Sequence, residues 1–173
     1  MIAIRNILVA TDFSAPSEAA LVYGRNFART FLANLHVLHV VDDVASRVVD
    51  LTAAMPNVGH IQMELEADAQ LRLHAFLTDD DRQSLSVRAV TSTSASPAQA
   101  ILSYAKEAEI DLVIIGTHGR TGMARLFMGS VAQQVVRLAP CPVLTVHHPE
   151  REFVRPDALE RLGSHVAVST ARA

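Results

Sequence analysis

Leu112-Val113-Ile114-Ile115-Gly116 opens the stretch that decides the fold, and it continues as Thr117-His118-Gly119-Arg120-Thr121-Gly122-Met123-Ala124-Arg125-Leu126-Phe127-Met128-Gly129-Ser130. A short apolar run without alternation is what a strand covered on both faces requires, and this one runs straight into glycine. Ser130-Val131-Ala132-Gln133 matches a capping box, which predicts a helix opening at Ser130 and ending near Pro140. Pro142-Val143-Leu144-Thr145-Val146 follows as a further strand. Strand, helix and strand in this order make a βαβ unit of a parallel sheet.

The alternation extends back to the N-terminus. Ile7-Leu8-Val9-Ala10 reads as a first buried strand, and Ser14 caps a helix with Pro16 in its first turn and Ala20, Gly24, Phe27, Ala28 and Phe31 on one face. His36-Val37-Leu38-His39-Val40-Val41 is a second strand, ended by Asp42-Asp43. From Val44 to about Gly59 the pattern dissolves and predicts a long connection. Ile61, Leu65, Ala69, Leu73 and Phe76 recur at helical steps, Ser86 to Val90 alternates as a third strand, and Ser96-Pro97-Ala98-Gln99 is a second capping-box match. Ala98, Ile101, Leu102 and Ala105 form the apolar face of the helix that it opens. Five strands and four helices over residues 1–147 predict a doubly wound α/β sandwich on a five-stranded parallel sheet. Residues 148–173 are polar, carry Pro149 and Pro156, and are expected to form a tail outside the domain, possessing only a weak helical patch around Ala158 to Leu162.

Composition bounds the function. With 173 residues, 50% of them apolar and 19% charged, the chain is long enough to bury one sizeable core and is expected to be a compact soluble domain. The formal net charge is −3 and lysines and arginines are scattered singly, so no basic stripe exists to neutralise a run of phosphates and nucleic acid is not expected as a partner. The single cysteine, Cys141, excludes an internal disulfide and fits a reducing compartment, which points to the cytoplasm. No apolar run approaches the roughly 18 to 20 residues that span a bilayer, and Arg5 interrupts the apolar N-terminus, which reads as a strand and not as a signal peptide. No membrane association is expected.

In an open parallel sheet, ligands bind beyond the carboxyl ends of the strands, where the strand order reverses. Thr11-Asp12-Phe13-Ser14, the turn after His39-Val40-Val41 and the loop opening at Gly116 all lie at such ends. Glycines that let the backbone take positive φ and approach an anion, followed by a helix N-terminus with its unpaired N–H groups, make a phosphate cradle. The plainer reading leaves Gly116 ending a strand and Gly129 preceding a cap; spacing alone does not choose between them. Asp12 likewise either faces a ligand or caps the next helix together with Ser14.

Gly-x2-Gly-x9-Gly-Ser, filled by Gly116, Gly119, Gly129 and Ser130, resembles the nucleotide-binding signature of the universal stress protein family. Residues 111–115, 139–146, Ile7 to Ser14 and Leu38 to Asp42 resemble that family's strands, and the likeness spans residues 4–147. The resemblance implies a Rossmann-like sheet of strand order 3-2-1-4-5 and ATP, ADP or AMP as ligand, with Mg2+ or Mn2+ accompanying it. It places Thr11 and Asp12 near the ribose or a metal, Val40 against the adenine through its backbone and Ile115 against the base. His118 and Arg120, as donors within the loop, are candidate phosphate contacts on their own chemistry, and by the resemblance Gly116, Gly119, Gly129, Ser130 and Val131 would hold the phosphates. It also implies a homodimer formed through the last strand, Pro142 to Val146, an apolar edge suited to pairing with its own copy. One departure is visible: Ser94-Ala95-Ser96-Pro97 lacks the glycine that the family often places before the proline.

The functional expectation is a nucleotide-dependent binding or regulatory module in stress response. A slow ATP-hydrolysing or phosphoryl-transferring enzyme and a nucleotide-free scaffold are the competing readings. Against fast phosphoryl transfer stand the lack of a Gly-x4-Gly-Lys-Ser/Thr loop and of any lysine in the cradle. His147 and His148, adjacent on a strand, would point opposite ways and do not make a metal pair, and Cys141 between two prolines reads as a small filler.

Overall fold

The structure is a computed structural model and describes residues 2–47, 57–117 and 128–147. Its elements run β1 (Asn6–Thr11), α1 (Ala15–Phe31), β2 (Asn34–Val41), α2 (Val44–Arg47), α3 (Val58–Phe76), α4 (Asp79–Ser84), β3 (Val87–Thr93), α5 (Pro97–Glu107), β4 (Leu112–Gly116), α6 (Ser130–Leu138) and β5 (Val143–Val146). All strand pairs are parallel and the sheet order is β3-β2-β1-β4-β5, the doubly wound arrangement expected from the sequence.

Burial follows position in the sheet. β4 is buried throughout and β1 from Ile7 onward, because helices cover both faces of the central strands, whereas β3 and most of β5 at the edges are half-buried or exposed. Odd positions of β1 and β2 (Ile7, Val9, Leu35, Val37) face one core with α1 and α3; Leu8, Ala10, Leu38, Val113 and Ile115 face the other with α5 and α6. α1 lies close on the sheet at Gly24, where an added Cβ would stand 2.4 Å from Val9 Cγ2.

Four expectations need correcting. The segment read as a connection from Val44 to Gly59 begins with the short α2 and ends inside α3, which opens at Val58; residues 48–56 lie outside the described residues. The third strand runs to Thr93 because its pairing with β2 continues through Val41↔Thr93. α4 is an additional helix, started by a Thr78 side chain that accepts from the Asp81 N–H while the Asp81 carboxylate accepts from the Thr78 N–H. The capping boxes expected at Ser96 and Ser130 do not form: Ser96 is the N-cap of α5 without a side-chain bond, and Gly129, not Ser130, is the N-cap of α6. Ser94 takes over the turn before α5, its hydroxyl accepting from the Ser96 N–H at 3.1 Å and donating to the Ser96 carbonyl at 3.2 Å.

α4 is tied to α1 by a buried ion pair. Arg25 Nε and a terminal nitrogen donate to the two oxygens of Asp81 at 2.7 and 2.6 Å, with Asp81 1% exposed. Burial opposes the charge on Asp81, yet the bonds from Arg25 and Thr78 outweigh it and hold the carboxyl below the usual range. The expected tail, residues 148–173, lies outside the described residues.

Candidate functional site

The strand order reverses between β1 and β4, and their carboxyl ends open on a cleft of about 200 Å³ roofed by the N-terminal ends of α5 and α6. Its apolar walls come from Leu38 and Val40 of β2, Ile115 of β4, Pro97 and Ile101 of α5 and Val131 and Ala132 of α6. Its polar groups are Thr11, Asp12, Ser17, Thr117 and Ser130. Of the residues singled out in the sequence, Thr11, Asp12, Val40, Ile115, Gly116, Gly129, Ser130 and Val131 all line this one cleft, brought together from β1, β2, β4 and α6. His118, Gly119 and Arg120 lie outside the described residues.

Asp12 forms the turn into α1: its Oδ1 accepts from the N–H of Ser14 at 3.1 Å and from the Ser14 hydroxyl. Ser14 is the N-cap of α1, but its side chain is spent on Asp12 and caps nothing. The turn is fixed from below. Phe13 is held at φ 63°, its N–H donates to Thr11 Oγ1 at 3.0 Å, and its ring lies between His39, at 4.3 Å between centroids, and the Arg72 guanidinium, 4.5 Å from its centre. The Thr11 hydroxyl also meets that of Ser17 at 3.0 Å, and the Thr11 carbonyl accepts from His39 Nδ1 at 2.8 Å, which places the His39 proton on Nδ1.

Gly116 and Gly129 act differently from expectation. Gly129 has φ −58°, a conformation open to any residue, and Gly116 is not in the left-handed region. What Gly116 requires is room: a Cβ there would stand 2.9 Å from both the carbonyl carbon and the Cβ of Pro16. Glycine at 116 therefore lets α1 begin directly over the end of β4. At the other wall, Gly129 N–H donates to the Thr117 carbonyl at 2.7 Å and Gln133 N–H to the Gly129 carbonyl at 2.9 Å. Between them, the N–H groups of Ser130, Val131 and Ala132 take no backbone acceptor among the described residues, as the first turn of a helix dictates.

Ser17, Pro97, Ile101 and Thr117 also line the cleft and were not singled out in the sequence. The sequence marks Pro97 as a helix start and Ile101 as part of an apolar face, and only the fold shows that this face turns toward the strand ends. The Thr117 hydroxyl lies 3.2 Å from Nδ1 of the exposed His147, across the ends of β4 and β5. Cys141 is half-buried in the second core, and its thiol is pushed up by burial and by the charge of Asp111 despite a bond to the Val113 backbone. No group of three or more His, Cys, Asp or Glu side chains able to hold a metal occurs among the described residues.

A model of the universal stress protein family matches residues 3–147. A curated universal stress protein of Methanocaldococcus jannaschii is 30% identical over 151 residues, covering 86% of this chain and 85% of that protein. The structure of a universal stress protein from Lactobacillus plantarum is 30% identical, covers 84% of this chain and 99% of its own, and superimposes with a TM-score of 0.67. The universal stress protein of Archaeoglobus fulgidus, solved in complex with dAMP, is 21% identical with a TM-score of 0.59 over 84% of this chain and 99% of its own, and shows the shared fold.

Proposed function

The chain belongs to the universal stress protein family, and from that premise we propose that it binds an adenine nucleotide, ATP in the first place, in the cleft between β1 and β4. The observation that carries this reading is the pairing of an apolar slot with helix-start amides that take no backbone acceptor among the described residues: Leu38, Val40, Ile101 and Ile115 flank a space suited to a purine, and the first turn of α6 borders the same space with the N–H groups of Ser130, Val131 and Ala132. A helix N-terminus of this kind favours a phosphate by hydrogen bonding and by its positive dipole end. Asp12 is the residue proposed for the ribose or for an accompanying Mg2+ or Mn2+; such a cation would supply charge neutralisation at the phosphates. Gly119 is a proposed phosphate contact by family signature, and His118 and Arg120 are proposed by their chemistry as donors beside it in the sequence.

Among the described lining residues Asp12 is the one titratable side chain, and hydroxyls and amides make up the rest of the polar surface. That supports a binding module in stress response more than an enzyme of rapid turnover. No helix among the described residues is long and apolar enough to cross a membrane. We place the protein in the cytoplasm and propose a homodimer through β5, whose half-buried Val143 and Leu144 lie at the sheet edge. Purified protein is expected to carry adenine nucleotide released by denaturation and to hydrolyse added ATP slowly or not at all; turnover at ordinary enzyme rates of 1 s⁻¹ or more, roughly, would replace the binding-module reading with the enzymatic one.

A further inference from the structure

At the opposite end of the sheet from the cleft, where β1, β2 and β3 begin, the surface holds a polar depression lined by Asn6, Asn34, His36, Ser86 and Arg88. One wall is satisfied internally. Asn34 Nδ2 donates to Asn6 Oδ1 at 2.9 Å, and Asn6 Nδ2 donates to the carbonyl of Glu109 at 3.2 Å. The other wall is not. His36 and Arg88 are register partners on β2 and β3, so their side chains leave the same face of the sheet side by side. His36 is only 7% exposed. Its Nδ1 lies 2.7 Å from the Tyr104 hydroxyl, and among the described residues its Nε2 has no hydrogen-bond partner. Arg88 is exposed and is in ion-pair distance of no carboxylate among the described residues. A nearly buried imidazole whose second nitrogen has no partner among the described residues, beside an exposed guanidinium on the same face, leaves two neighbouring donors open to a ligand.

We propose that this depression binds a small phosphate-type oxyanion, held by the Arg88 guanidinium and by Nε2–H of His36. With the Tyr104 hydroxyl assigned as the donor to Nδ1, Nε2 of His36 carries the proton, and the planar fork of Arg88 can hold two oxygens of one anion. The Ser86 hydroxyl lines the same space. Without a ligand, burial first and the charge of Arg88 second keep the imidazole neutral below its ordinary range. An anion reverses that balance: His36 takes up a proton at Nδ1 as the anion enters, the Tyr104 hydroxyl turns from donor to acceptor of that bond, and the site then offers two positive charges. Two charges match a phosphate dianion better than a carboxylate. The site is separate from the cleft, lying at the amino ends of the strands whose carboxyl ends form it.

The test is a titration of the full chain with inorganic phosphate, at ionic strength held constant with sodium chloride, read from the imidazole ring signals of His36 by NMR. The signals are expected to shift saturably, with the His36 pKa rising in the bound state. Arg88→Gln, at an exposed edge position, should weaken binding by about tenfold or more, the worth of a hydrogen bond to a charged group. Tyr104→Phe should weaken it as well. The shift should persist in Ser130→Asp, whose cleft is compromised. Loss of the shift in Ser130→Asp would mean that phosphate acts through the cleft and would overturn the proposal. So would signals that do not move, or that move equally in Arg88→Gln, while acetate binding as tightly as phosphate would overturn the choice of anion.

Discussion

Leu32 closes α1 in the left-handed region, φ 54°, while its N–H and that of Ala33 both reach the Ala28 carbonyl. The side chain is 93% exposed and contributes nothing to the core. A non-glycine residue in this region costs roughly 1–2 kcal/mol, of which glycine's greater freedom in the unfolded chain returns part. Leu32→Gly is therefore expected to stabilise the protein by about 0.5–1 kcal/mol, read from urea unfolding; an unchanged or lowered midpoint would contradict that account of the cap. At this scale the sequence was legible in residue type and misleading in detail. Ser14 and Ser96 do sit at helix starts, but the Ser14 hydroxyl is taken by Asp12, and at Ser96 the turn is held by the Ser94 hydroxyl bonding to the Ser96 backbone. Gly116 looked like a residue chosen for φ, and its reason is Pro16, a contact across about a hundred residues of chain that no local pattern carries.

α4 belongs to the element scale. Six residues long and charged, DDDRQS, it has no apolar period, so only the Thr78–Asp81 capping box could have announced it. Its place is set by the ion pair of Asp81 with Arg25 of α1. Removing one partner leaves the other charge partly buried, so Asp81→Asn is expected to cost about 2–4 kcal/mol at neutral pH. Because the Asp81 carboxyl is held low in the folded state, its contribution is present above the unfolded value near about 4 and is lost as pH falls through the folded value below that. Unfolding of the parent and of Asp81→Asn, measured at pH 7 and again below pH 3, roughly, should thus differ at the first and converge at the second; an equal gap at both would mean that packing and not charge holds α4. The long periodic helices and the buried strands were legible because their signal repeats over many residues, and the bounds of α2 and β3 were not because they depend on tertiary contacts such as Val44 N–H to Gln62 Oε1 and the β2 pairing.

On the scale of the molecule, alternating strands and helices were enough to give the parallel sheet, and the sheet in turn brings Thr11, Val40, Ile115 and Gly129 to one cleft from distant parts of the chain. The roof supplied by Pro97 and Ile101 was not legible, since which helix face overhangs a strand end depends on the crossing of α5 over the sheet. If β5 pairs with its own copy, Leu144→Lys should shift the sedimenting mass toward the monomer at micromolar concentration, and a parent that already sediments as a monomer would refute the dimer. The central claim is nucleotide binding in the cleft, and calorimetric titration with ATP of the parent and of Ser130→Asp tests it most directly. Aspartate at the first residue of α6 suits the helix dipole and leaves the fold intact, which circular dichroism checks, while it opposes a phosphate at the same amides. Micromolar binding in the parent, weakened by about tenfold or more in the variant, is the predicted result. A parent that gives no binding heat, or a folded variant that binds ATP as tightly as the parent, would contradict it.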